Sequence, residues 1–397
     1  MTKYIDLLRA HLDQTKDSIP PYTPQEADKE LTALLPDETS HTQKIPSTPS
    51  PYEDPLLITE ESEEFISPIS IPSKHIEIAN ADTQEKNNHD WLNSCIEHVL
   101  TLFKHAQQNT AHDISPLSKC LNTLLSELKH DEEHNIIDTL ELEIAQQSQQ
   151  IRLIDEDLGS LVQKSILMML YAIKAGQRLK LDHDELRAHT LAGMLHHIGM
   201  AQVPAEIRNK KERLSKSELT EIKQAPKNGY HFLELCNITD PCILQAASQS
   251  SERYDGRGKS GLSGSEIAWS ARLISVLSMF EALIHYRPYR ARLLPRDAIR
   301  EIVKHHKKSF DPVMLKALIE SISLYPIGTY VQLNSGEIGM VTRIHPRLPL
   351  RPIVNIEMDI QGSEVPPRQV DLKAQPNLTV EKCMYKENLI DLKETAA

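Results

Sequence analysis

The sequence predicts a mainly α protein. A helical region and a helical bundle are preceded by a disordered leader and followed by a small antiparallel β-unit. Three observations carry this reading. From about residue 90 the apolar residues recur with helical spacing, and the first glycine of the 397-residue chain is Gly159. After Pro326 the pattern becomes β-branched, alternating and turn-punctuated. Residues 1–90 hold 10 of the 24 prolines, none of the 13 glycines, and 18 Asp+Glu against 7 Lys+Arg, a net −11 of the chain's −12. The expected divisions are a leader over 1–89, a helical region over 90–154, the bundle over 155–324 and the β-unit over 325–397.

The leader reads as disordered because stretches such as IPSTPSPYEDP (45–55) are polar, aperiodic and proline-rich, and bury too little apolar surface to offset ordering entropy. Tyr4, Ile5, Leu7, Leu8, His11 and Leu12 have helical spacing and form either a docking helix or a transient helix without a partner. The helical region shows three stripes. They are Trp91, Ile96, Val99, Leu100 and Phe103; Leu117, Leu121, Leu124, Leu125 and Leu128; and Ile136, Ile137, Leu140 and Ile144. Ser215-Lys216-Ser217-Glu218 fits a capping box opening a helix. RYDGRGKSGLSG (253–264), with four glycines in twelve residues, is a loop. Helices are expected again at 267–285, at 297–305 and from Phe310-Asp311-Pro312. Strands are expected in the three segments TYVQLNSGEIGMVTRI, PIVNIEMDI and RQVDL, with Asn334-Ser335-Gly336-Glu337 as a hairpin turn between two strands of the first.

Several function classes fall away. The longest apolar run, Ile166 to Ile173, is far below the ~20 residues that span a bilayer. The charged start, with Asp6, Arg9 and Asp13, lacks a signal peptide's apolar core. No membrane insertion and a cytoplasmic location are therefore expected. Outside the leader the chain is almost neutral, without the basic face of a nucleic-acid binder. The five cysteines show no paired spacing that would suggest a disulfide framework or a zinc ribbon.

Eighteen histidines invite a metal-site reading, yet nine of them precede residue 150. His196-His197 closes an apolar helix; neighbours on a helix point about 100° apart, so alone the pair reads as one packed and one exposed histidine. His189 is two turns away, too far to share an ion with His196, and His305-His306 sits in a basic run. Gly258-Lys259-Ser260 looks like the tail of a phosphate loop, but Arg253 stands where its first glycine belongs.

What distinguishes the chain is an ordered series. A helix ending in His-x-Ile-Gly is followed by VPAEIRNKKERLSKSEL, PKNGYHFL, ERYDGRG, RLISVLSMFEAL, YRPYR and FDP. This series resembles the HD-GYP family, helical phosphohydrolases that cleave cyclic di-GMP, over about residues 155–320. The resemblance implies a bundle holding two or three iron or manganese ions that polarise the phosphodiester and activate a water.

Carried over position by position, the metal site is mostly missing. The first family histidine falls on Lys164, beside Ser165. The HD pair falls on His196 and His197, so the bridging aspartate is a histidine, and the lysine after Ile-Gly is Met200. The next histidine is Ala225, before Pro226. The HHE histidines are Ser250 and Ser251, with Glu252 kept, and the late aspartates are Ser278 and Glu281. The GYP triplet reads Gly258-Lys259-Ser260. The frame is kept at Pro204, Ile207, Lys210, Leu214, Gly229, Arg253, Asp255, Gly256, Ala282, Arg287-Pro288-Tyr289 and Phe310-Asp311-Pro312. Alanine and serine cannot stand in for imidazole and carboxylate as ligands.

The resemblance thus implies a catalytically inactive member that binds or regulates, with no cofactor and with His196, His197 and Glu252 as the metal-site remnant. The alternative is a residual phosphodiesterase with an altered metal site. Lys210, Arg253, Asp255, Arg257 and Lys259 are candidates for ligand or partner binding, since arginine forks suit phosphate. Cyclic di-GMP, a diguanylate cyclase or other signalling protein, and a second copy of the chain are the candidate partners; an adaptor without a nucleotide is the remaining reading.

Overall fold

The computed structural model describes residues 90–129, 135–210, 212–285, 292–345, 348 and 350–384. The acidic leader, the candidate helix at Tyr4–Leu12 and the Arg287-Pro288-Tyr289 match lie outside these residues.

The three expected stripes become three helices: α1 (Asp90–Gln108), α2 (Ser115–Leu128) and α3 (Asn135–Leu153). The second stripe is buried at all five positions. In α1 the buried face is Leu92, Cys95, Ile96, Val99, Leu102, Phe103 and Ala106, so Trp91 and Leu100 flank the core rather than form it.

The centre is α4 (Gly159–Arg178), buried almost continuously from Ser165 to Gly176 because other helices surround it. It packs against α3, α5 (His183–Leu195), α9 (Trp269–Ile284) and α11 (Pro312–Ser321). Between α5 and α9 lie the short α6 (Ala205–Arg208), then α7 (Lys216–Leu235) and α8 (Pro241–Gln249). Between α9 and α11 lies α10 (Pro295–Glu301), which runs on into a wider turn over Ile302–His306.

Helix starts are set by side chains. The Ser215–Glu218 capping box is present, and a second one joins Asp182 to Glu185 at the start of α5. Asp240 and Asp311 cap α8 and α11 by accepting from the amides of Cys242 and Val313. Asp311 also pairs with Arg272 of α9, tying two core helices together.

Two glycines fix the corner after α5. A Cβ on Gly199 would stand 2.0 Å from the Ala225 carbonyl oxygen and 2.5 Å from the Gly229 amide nitrogen. Only hydrogen at both positions lets the segment after the histidine pair lie against the backbone of α7.

The C-terminal part is an antiparallel sheet of β1 (Tyr330–Leu333), β2 (Ile338–Arg343), β3 (Ile353–Met358), β4 (Glu364–Asp371) and β5 (Val380–Met384), in the order β4-β3-β2-β1-β5. The turn falls at Asn334–Glu337 as expected, and strand β5 is an addition to the three segments read from the sequence. Pro366 and Pro367 sit in β4, where an edge position leaves their missing donors without cost to the ladder. No described helix is long and apolar enough to cross a membrane.

Candidate functional site

The expected histidine arrangement is corrected by the structure. His196 and His197 are both buried, 6% and 7% exposed. The α-helix ends at Leu195 and the chain tightens into a 3-10 turn over Ile198–Gln202, so His197 swings inward instead of stepping out to solvent. Its ring meets Phe103 of α1, centroids 5.5 Å apart, and its Nε2 donates to the Leu161 carbonyl at 3.1 Å.

His196 Nδ1 lies 2.7 Å from the Gly193 carbonyl oxygen. A carbonyl only accepts, so Nδ1 carries the proton and Nε2 offers its lone pair. That lone pair meets the hydroxyl of Ser278 on α9 at 3.3 Å. Burial, and then the Lys164 ammonium, push the His196 imidazole down to about 3, so it is neutral at physiological pH. Lys164 reaches this corner because Leu161, Lys164 and Ser165 share one face of α4. Leu161 accepts from His197, and the Ser165 hydroxyl donates to the Met194 carbonyl at 2.7 Å.

Glu252, 2% exposed, follows α8 and turns toward the loop. Both its carboxylate oxygens accept from the Ser260 amide, at 2.9 and 3.1 Å. A Cβ on Gly258 would lie 2.4 Å from its Oε2, so this close approach requires glycine.

The remaining sequence candidates divide. Lys210 is bidentate with Glu218 at 2.7 and 2.9 Å, and this pairing, ahead of the Ser215 amide, holds the Glu218 carboxyl down at about 2. Arg253 lies 5.5 Å over the Phe310 ring and donates to the Glu252 carbonyl. Asp255 accepts from the Arg257 amide and the Ser309 hydroxyl, so it fastens the loop. Arg257 and Lys259 are exposed, with Lys259 reaching the Lys223 carbonyl. The loop thus gathers Arg253, Asp255, Arg257 and Lys259, while Lys210 is engaged at the start of α7. His189 is half-buried, edge-on to Trp269 and bonded to the Glu185 carbonyl.

Sequence reasoning missed the support of this corner. Arg208 buries its guanidinium against the carbonyls of Met200, Val203 and Asp157 and pairs with the Asp157 carboxylate. The Pro204–Ile207 match lay beside it, but nothing local announces a partner fifty residues earlier.

Iron or manganese would need several imidazole and carboxylate ligands converging on one point. Among the described residues no three His, Cys, Asp or Glu side chains do so. His196 and Ser278 are bonded to each other, Glu252 faces the loop amide, and a cation stands beside His196. These residues do not fit the family's metal centre.

Residues 147–314 match the HD domain family, and residues 330–392 match the KOW domain associated with HD domains. The first match falls on the segment that carries the HD-GYP resemblance. It is 30% identical over 207 residues to the cyclic di-GMP phosphodiesterase PA4108 of Pseudomonas aeruginosa, covering 52% of this chain and 50% of that protein. It is 28% identical over 192 residues to the cyclic di-GMP phosphodiesterase PdeB of Borreliella burgdorferi, covering 48% and 50%. The chain therefore spans about half the length of these relatives. A solved structure, Bd1817, an HDG"Y"P protein from Bdellovibrio bacteriovorus, aligns with a TM-score of 0.35 at 15% identity, covering 56% of this chain and 76% of that one.

Proposed function

We propose that this chain is a cytoplasmic HD-GYP-type module of cyclic di-GMP signalling that acts by binding rather than by hydrolysis and holds no iron or manganese. One observation carries the reading: at positions that the resemblance assigns to metal ligands, Ser278 is bonded to His196 and Glu252 to the Ser260 amide, and among the described residues no three His, Cys, Asp or Glu side chains converge. Hydrolysis in this family runs through ions that polarise the phosphodiester and activate water, and an ammonium beside the imidazole opposes a divalent charge. The relatives' names supply the ligand class.

Those names also favour a second reading, a phosphodiesterase with an altered metal site around His196, His197 and Glu252. Metal analysis of the full chain combined with a cyclic di-GMP turnover assay separates the two. Binding alone predicts less than roughly one tenth of an ion per chain and no linear product. A stoichiometric ion with turnover would establish the phosphodiesterase and remove the binding-only reading.

A protein ligand is the companion proposal. The 253–264 loop presents Arg257 and Lys259 to solvent, and a diguanylate cyclase domain or a second copy of the chain is the proposed partner there. An adaptor that binds protein and no nucleotide would give no heat in a cyclic di-GMP titration.

A further inference from the structure

A cleft of about 660 Å³ opens where the α1–α2 connection, α5 and the α7–α8 turn meet. It shares no residue with the histidine corner or with the 253–264 loop. Its floor is apolar, because Leu191, Cys236, Ile238 and Ile243 are all buried. Its two sides are tied together where the His112 amide donates to the Cys236 sulfur at 3.4 Å.

Three charged side chains line the cleft: Arg187, Asp113 and Asp240. The His112 imidazole is neutral, since burial and then the neighbouring His105 push its pKa below the ordinary value. Arg187 lies one turn before Leu191 on α5 and is half-buried, yet its guanidinium makes no hydrogen bond or ion pair among the described residues. The other described arginines whose guanidinium lacks a partner, Arg213, Arg257 and Arg343, are exposed. Water serves an exposed guanidinium well and a half-buried one less so, which leaves Arg187 the most to gain from a ligand.

The carboxylates are each half used. Asp113 Oδ1 accepts from the Ser115 amide and hydroxyl, and Asp240 Oδ1 accepts from the Cys242 amide. Neither pairs with Arg187, and the second oxygen of each accepts nothing among the described residues. Asp240 is half-buried and lies between Ile238 and Ile243 in the chain, whereas Asp113 is exposed. A simple anion drawn to Arg187 would face two carboxylates, and a simple cation would face the guanidinium. Both signs are needed in one molecule.

We propose that this cleft binds a small zwitterion with an apolar body, an apolar α-amino acid or a short peptide of such residues. Arg187 holds the carboxylate as a fork, the free oxygen of Asp240 accepts from the ammonium, and the apolar side chain lies on Leu191, Ile238 and Ile243. The volume is within the range of small-molecule sites and admits either ligand. The site is independent of the cyclic di-GMP reading above.

The test is calorimetric titration of the full chain with L-leucine, L-leucyl-L-leucine, N-acetyl-L-leucine and L-leucinamide. Ligand is taken to about 10 mM, above the roughly millimolar Kd expected of two charge-assisted contacts in an open cleft. Saturable binding of leucine or of the dipeptide is expected, with the acetylated and amidated forms roughly tenfold weaker or more. Whichever of leucine and the dipeptide binds more tightly is the ligand class of the site. Arg187→Gln is expected to weaken that ligand roughly tenfold or more, and so is Asp240→Asn, which still accepts from the Cys242 amide. Arg187 has no partner to lose, so an unchanged melting temperature in Arg187→Gln reports an intact fold.

No saturable heat with either ligand, equal binding of the acetylated or amidated form, or wild-type affinity in Arg187→Gln overturns the proposal. Cyclic di-GMP binding should be the same in Arg187→Gln as in wild type. A parallel loss would place the nucleotide in this cleft and remove the zwitterion site.

Discussion

The hydroxyl of Ser278 lies 3.3 Å from Nε2 of His196, so a neutral hydrogen bond joins α9 to the end of α5 where the HD-GYP resemblance places metal ligands. Because the imidazole is buried, that bond is its means of satisfying the Nε2 lone pair. Ser278→Ala is expected to lower stability by about 1–3 kcal/mol, read as a shift in the urea midpoint at constant slope. An unchanged midpoint would mean that the lone pair has another partner.

The same imidazole sets a pH dependence. Its folded pKa is pushed down to about 3 against an ordinary value of 6.5. Above pH 6.5 both folded and unfolded states are neutral, and stability is flat. Below it the unfolded chain takes a proton that the folded one refuses, so stability falls toward pH 3 by about 1.4 kcal/mol per unit. His196→Asn, which keeps a donor for the Gly193 carbonyl, should flatten the curve between pH 6 and pH 4 by roughly that slope. His189, also lowered by burial, leaves a residual slope of the same sign.

Arg208 holds the corner from below. Its guanidinium donates to Met200 and Val203 at 2.9 and 3.0 Å and pairs with Asp157 across fifty residues of chain. Arg208→Ala is expected to cost about 3–5 kcal/mol, since it strands three carbonyls and a carboxylate. Asp157→Asn, which keeps an accepting oxygen, should cost less than half as much, and equal losses would contradict the pairing.

Gly199→Ala should be among the most destabilising single changes in the bundle. Its new methyl would sit 2.0 Å from a backbone oxygen of α7, and neither backbone can rotate away as a side chain would. A loss of about 3 kcal/mol or more is expected in chemical denaturation, whereas Gly261→Ala, with open space around it but a φ of +70°, should cost about 1 kcal/mol.

Glu252→Ala tests what the retained acid does. The expected result is faster amide exchange over residues 253–262 and proteolytic nicking after Arg257 or Lys259, with metal content unchanged from wild type. A loss of bound iron or manganese in this variant would show Glu252 to be a ligand.

Much of the frame was legible because local rules decide it. Ser215 and Glu218 are a capping box in sequence and in space, and the glycine-bearing turn at Asn334–Glu337 lies between its two strands. Strand β5 escaped because Val380-Glu381-Lys382-Cys383-Met384 has mixed charge and no clean alternation; its pairing with β1, fifty residues earlier, makes it a strand. The burial of both histidines escaped for a related reason. A 100° step between neighbours holds only while the helix continues, and nothing in Leu195-His196-His197-Ile198 marks the change to a tighter turn. The bonds of Ser278 to His196 and of Glu252 to Ser260 were out of reach of local rules, because they depend on segments brought together in the fold.

The 253–264 loop is fastened from three directions: Tyr254 to the Ser309 carbonyl, Gly264 to the Tyr254 carbonyl, and Ser260 to Glu252. Its shape is therefore settled before any encounter. A molecule docking on Arg257 and Lys259 loses its own freedom but does not have to organise the surface it lands on. For such a contact, speed of association and sensitivity to ionic strength would change first when a loop charge is removed, with the geometry of the docked state left as it was.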